Sequence, residues 1–74
     1  MIKSKLKLLI AQREIETGRK LTYEILAKEI MLSKNTLSRL AEGHTDRIDF
    51  LTLDKICRYF KCNIADLLVY ETDK

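Results

Sequence analysis

The sequence predicts an all-α domain built from five short helices. Apolar residues recur at helical spacing in five successive stretches, and Thr22, Ser33, Asp49 and Asn63 stand as hydrogen-bonding caps ahead of four of them. Breakers are scarce: there is no Pro, and the two glycines, Gly18 and Gly43, fall where helices should end. No stretch alternates in the manner of a half-buried strand. At 74 residues the chain is expected to form one compact domain with a single core.

The first helix is expected over about residues 2–16, with Ile2, Leu6, Leu9, Ile10 and Arg13 along one side and Gly18 as its stop. Thr17 to Lys20 connects it to a second helix at 22–30. There Thr22 is the cap, and Tyr23, Leu26, Ala27 and Ile30 follow at spacings of 3, 4 and 7. Ser33 caps a third helix, 33–42, which buries Leu37, Leu40 and Ala41 and ends at Gly43. Between these two helices stand only Met31 and Leu32, a corner expected to turn inward on the core. After the polar loop HTDRI, Asp49 caps a fourth helix at 50–60 that carries Leu53, Ile56, Cys57 and Phe60, with Phe50 as a staple at its entry. Asn63 and Asp66 resemble a capping box for a fifth helix at 63–69 burying Ile64, Leu67 and Leu68, and 70–74 is a tail.

Composition narrows the function classes. With 46% hydrophobic and 34% charged residues the chain is neither disordered nor fibrous, and it is too small to wall a large cofactor cleft. Cys57 and Cys62 fit neither a C-x-x-C pair nor a zinc knuckle, and the one histidine, His44, lies far from them. No metal, cofactor or small-molecule ligand is expected, and neither is a nucleophile-and-base constellation, so the chain does not read as an enzyme. The N-terminus is interrupted by Lys3, Lys5 and Lys7 and lacks a signal-peptide core, and no run spans a membrane; a soluble cytoplasmic protein is expected. The formal charge of +3 is concentrated at the start, where six basic side chains in residues 1–20 face only Glu14 and Glu16. An anionic partner suits that distribution; so does plain solvation of a helix face.

The third helix gives the partner a chemistry. If Leu37, Leu40 and Ala41 face inward, Lys34, Asn35, Ser38 and Arg39 project outward with Thr36 at their edge. Arg bonds guanine bidentately, Asn does the same for adenine, and hydroxyls serve several bases. No acidic residue lies between Ser33 and Arg39 to repel phosphate, and the starts of the second and third helices offer free N–H groups. The competing roles are ordinary ones. Arg39 can be a solvated partner of Glu42, Asn35 and Thr36 first-turn helix residues, and Arg47 and His44 solvated loop side chains.

The segment LTYEILAKEIMLSKNTLSRLAEG resembles the helix-turn-helix of the Cro/C1-type (XRE-like, lambda-repressor-like) family of bacterial and phage transcriptional regulators. TLDKICRYFKCNIADLL is similar to that family's following helices, so the likeness spans most of the chain. The resemblance implies sequence-specific binding of double-stranded DNA by a repressor whose third helix lies in the major groove. Lys34, Asn35, Thr36 and Arg39 would then reach base edges, and Thr22, Tyr23, Ser33, Ser38 and Arg47 would touch phosphate. Tyr23 stands where many relatives carry Gln. Met31 and Lys61 stand where relatives often have Gly, so a turn of slightly different shape is expected at the first and strain or a shifted helix end at the second.

A domain this small makes few base contacts, so a homodimer on two half-sites about 34 Å apart is expected, with Val69 and Tyr70 as its candidate surface. Two alternatives compete with this reading. An antitoxin that also grips a toxin would be expected to carry a further binding arm. A protein-interaction module without DNA binding would be expected to show an exposed aromatic anchor on the third helix, where this chain has Asn, Thr, Ser and Arg.

Overall fold

The structure, a computed structural model, describes residues 1–72. Its elements in order are β1 (Ile2–Ser4), α1 (Leu6–Thr17), α2 (Tyr23–Ile30), α3 (Lys34–Glu42), α4 (Phe50–Phe60), α5 (Ile64–Leu67) and β2 (Leu68–Tyr70). Each helix contributes one side chain with no exposed surface to the centre: Leu6, Leu26, Leu37, Ile56 and Leu67. Leu9, Ile10, Leu21, Ile30 and Leu40 complete the buried set. The predicted helical class therefore stands, with a small ribbon added.

Local chemistry starts three of the helices. Thr22 accepts from the Ile25 amide at 3.2 Å, Ser33 from the Thr36 amide at 3.0 Å, and Asp49 from the Thr52 amide at 2.9 Å. Each supplies an acceptor that the first turn lacks. At α5 the Asp66 carboxylate accepts from the Asn63 amide at 3.0 Å. Helix ends are equally regular: α1 to α4 all close on a left-handed residue, Gly18, Met31, Gly43 and Lys61.

Two of those residues are not glycine. Met31 has φ 58° and Lys61 φ 53°. The corner thus keeps the left-handed turn rather than a different shape, and α4 ends at Phe60 without a shift. Leu32 N–H reaches back to Ala27 C=O at 3.1 Å, and Cys62 N–H to Cys57 C=O at 3.1 Å, the six-to-one bond of a Schellman closure. This geometry corrects the inward corner. Leu32 packs on the core, but Met31 points out and is 81% exposed, because a left-handed residue swings its side chain away from the helix it ends.

The termini depart most from expectation. Residues 2–4 are not helical: β1 pairs antiparallel with β2 in the register Ile2↔Tyr70, Lys3↔Val69, Ser4↔Leu68. The Lys5 amide donates to Leu67 C=O at 2.6 Å, and the Ser4 hydroxyl accepts from the Leu6 amide at 3.1 Å, so the chain is held extended until α1 begins. Correspondingly α5 stops at Leu67 and Leu68 is extended at φ −123°, ψ 144°. Phe50 is 88% exposed and staples nothing, and Ile64 is exposed at the start of α5 rather than buried.

Arg13 belongs to the inner side of α1, as its spacing suggested. Its guanidinium lies 4.7 Å from the Tyr59 ring centre and 5.4 Å from that of Phe60, and it donates to Tyr59 C=O at 2.7 Å. It thereby joins the middle of α1 to the end of α4, packing its stem while satisfying its charge.

Candidate nucleic-acid interface

The helix pair α2 and α3 is joined by a two-step corner, the left-handed Met31 followed by the inward Leu32, with Ser33 already capping α3. That corner sets the exposed side of α3. Leu37 and Leu40 are buried, Ala41 packs against the core, and Lys34, Asn35 and Arg39 are exposed on the opposite side. Thr36 and Ser38 are half-buried at the edges of the stripe.

Four of the residues singled out in the sequence border one hollow. Asn35, Thr36 and Arg39 from α3 and Arg47 from the following loop surround it, together with Thr45, Ile48, Asp49 and Thr52. The Arg39 guanidinium donates to His44 C=O at 3.2 Å, which fixes its stem against the loop. Glu42, its alternative partner, is engaged elsewhere. The Arg47 carbonyl accepts from the Thr45 hydroxyl at 2.8 Å, shaping the loop that carries it. Thr45, Asp49 and Thr52 were not singled out as site residues, and only the polarity of HTDRID hinted at them.

Lys34 stands on the other flank, where its ammonium pairs with Glu24 of α2 at 3.2 Å. Asp49 meanwhile borders the hollow, and its carboxyl is held below its usual range by hydrogen bonds from Thr52. The expected absence of carboxylates from this face is therefore corrected: tertiary packing supplies two that the sequence of α3 lacks. Glu24 pairs with Lys34, and Asp49 shares the hollow with Arg39 and Arg47, so both carboxylates offset part of the positive charge on this side.

The hydroxyl residues divide by role. Thr22 and Ser33 spend their oxygens on capping, and Ser33 Oγ also lies 2.7 Å from Thr36 Oγ1. Tyr23 is half-buried with its hydroxyl 3.4 Å from Glu42 Oε2. Burial raises its pKa, with the Glu42 charge adding to the rise, so the phenol stays protonated and able to donate. Glu42 also accepts from Lys7 Nζ at 2.9 Å; that hydrogen bond is the main cause lowering the Glu42 pKa and raising that of Lys7. One carboxylate at the end of α3 thus ties together α1, α2 and α3.

Among the described residues no helix is long and apolar enough to cross a membrane. No curated protein and no solved structure gave a match to this chain. Residues 5–73 match the Cro/C1-type HTH DNA-binding domain, nearly the whole chain. With the capped helix pair, the corner and the exposed polar side of α3, this makes the chain a member of the Cro/C1-type helix-turn-helix family of DNA-binding transcription regulators.

Proposed function

We propose that this protein is a sequence-specific repressor of transcription, a single domain that binds its operator by inserting α3 into the major groove. One observation carries this reading. Asn35, Thr36 and Arg39 gather with Arg47 around a single hollow on the outer side of a helix whose other side is core. Those side chains can read base edges and phosphate together. In this arrangement Lys34, Asn35, Thr36 and Arg39 meet bases. Thr22, Tyr23, Ser33, Ser38 and Arg47 meet the backbone, with Thr22 and Ser33 helped by the N–H groups at the starts of α2 and α3.

Tyr23 and Lys34 would exchange partners on binding. In the free protein each faces a carboxylate, Glu42 and Glu24, and phosphate would compete with those carboxylates for the same donors. The functional unit is a cytoplasmic homodimer on a palindromic site, because one α3 offers too few base contacts for useful affinity.

Selection of a preferred duplex from a random pool, followed by titration of the winner and a scrambled duplex over a range of salt, tests the reading. A winner bound about a thousandfold tighter than the scrambled duplex, with affinity falling steeply as salt rises, is the expected result. Salt-sensitive binding without a winner would contradict sequence specificity. No binding at low salt would contradict DNA binding and leave a protein-interaction module.

A further inference from the structure

Cys57 and Cys62 are brought together by the corner that ends α4. On an uninterrupted helix, residues five apart point about 140° away from each other, so the two thiols would lie on different sides. Lys61 changes that. Its left-handed backbone, φ 53°, turns the chain and returns Cys62 to the last turn of α4. The Cys62 N–H donates to Cys57 C=O at 3.1 Å, and residues joined by this six-to-one bond commonly bring their side chains into contact. With the angle at the amide fixed, the bond keeps the two Cα atoms within about 6.5 Å, inside the range of about 4.4–6.8 Å that a disulfide spans.

The surroundings distinguish the two sulfurs. Both thiols are free, and both side chains are half-buried and packed on the core. Cys62 also borders the hollow between α1 and the α4–α5 corner, beside Leu8, Arg13, Phe60 and Asp66, whereas Cys57 is not among its walls. Burial raises the Cys62 pKa, with Cys57 and Asp66 adding to the rise, as expected of two thiols in contact.

We propose that Cys57 and Cys62 form a reversible oxidation site, a dithiol that closes to an internal disulfide by exchange with a low-mass disulfide. The hollow admits the reagent to Cys62, whose thiolate attacks one sulfur of the small disulfide. A mixed disulfide forms and the first small thiolate leaves. The Cys57 thiolate then attacks the Cys62 sulfur, which forms the bond between the two cysteines and releases the second small thiolate. Each released thiolate takes up one of the two protons that the cysteines lose, and the two electrons removed from the protein reduce the reagent. Because the Cys62 thiol is held protonated at neutral pH, the exchange is slow. The bridge fastens α4 to the residue ahead of Asn63, the α5 cap, and holds the Lys61 corner closed. In a reducing compartment such a bond is transient, which suits a sensor rather than a permanent staple.

Oxidised glutathione is the probe, applied to the full chain without DNA, so the outcome is independent of the DNA reading. Wild type equilibrated with mixtures of reduced and oxidised glutathione, then acid-quenched, is expected by mass spectrometry to lose two hydrogens. Peptide mapping should place the bridge between Cys57 and Cys62 of one chain, and dithiothreitol should open it. Cys57→Ser is expected to stop at a mixed disulfide on Cys62. The corner should also favour closure: the formation constant of the bridge is expected to be at least about tenfold higher in the folded chain than in urea, and by linkage the oxidised protein should unfold at a higher urea concentration than the reduced one. These wild-type measurements do not depend on how well the variant folds. A folded wild type that keeps both thiols or accumulates only mixed disulfides overturns the proposal. So does bridging between chains, or a formation constant no higher in the folded chain than in urea.

Discussion

Lys7 and Glu42, 35 residues apart, form an ion pair of 2.9 Å that fastens the first turn of α1 to the last residue of α3. The Tyr23 hydroxyl joins the same carboxylate from α2. The orientation of α3 is thus fixed at its far end by charge and at its near end by the Ser33 cap.

The pair has a definite pH window. Glu42 titrates below 4.5 in the folded chain, so its contribution is present above 4.5 and is lost as pH falls through the lowered value. Lys7 titrates above 10.5, so its contribution is present below 10.5 and is lost as pH rises through the raised value. Both groups are fully exposed, so the effect is small and screened by salt. Thermal melts should show Glu42→Gln slightly less stable than wild type at neutral pH and low salt, with the gap closing toward about pH 3. A gap that does not change with pH would show that Glu42 acts through packing alone.

Met31 bears a left-handed backbone with its side chain in water. Glycine there removes a strain of about 1–2 kcal/mol and returns about 0.5–1 kcal/mol as unfolded-chain entropy. Met31→Gly should therefore stabilise the domain by up to about 1.5 kcal/mol, and Met31→Val, whose branch worsens the strain, should destabilise it by about 1 kcal/mol or more. Urea unfolding of the two variants checks the order. A destabilised Met31→Gly would mean that the exposed side chain makes a contribution its surroundings do not explain.

Ser33→Ala removes the acceptor of the Thr36 amide at the start of α3, at a cost of about 0.5–2 kcal/mol in chemical denaturation. The same substitution frees the Thr36 hydroxyl from its 2.7 Å partner. Affinity for a preferred duplex should fall along with stability. A variant that loses stability but keeps full affinity would remove Ser33 and the α3 start from the phosphate contacts.

The residues that announce themselves in the sequence are those whose role is local. Thr22, Ser33 and Asp49 cap helices through amides three positions on, and Leu26, Leu37 and Ile56 reach the core through simple periodicity. The ribbon does not, because Ile2 is extended only by pairing with Tyr70 at the other end of the chain. Glu24 beside Lys34 and Glu42 beside Lys7 are hidden for the same reason: each pair joins different helices. Met31 misleads because its hydrophobicity suggests burial, whereas its backbone conformation decides where it points. The contacts that tune the site are tertiary, while the scaffold that presents it is mostly local.

Base reading by α3 is tested most directly by one comparison. Wild type, Arg39→Ala and Arg47→Ala would be titrated against a selected duplex and each of its single-base variants. Arg39→Ala should cost about 1–3 kcal/mol on the selected duplex and erase discrimination at one base position, while Arg47→Ala weakens all duplexes alike and lowers the salt dependence by about one ion. An Arg39→Ala loss spread equally over every duplex would place Arg39 on the backbone and contradict base reading by this helix.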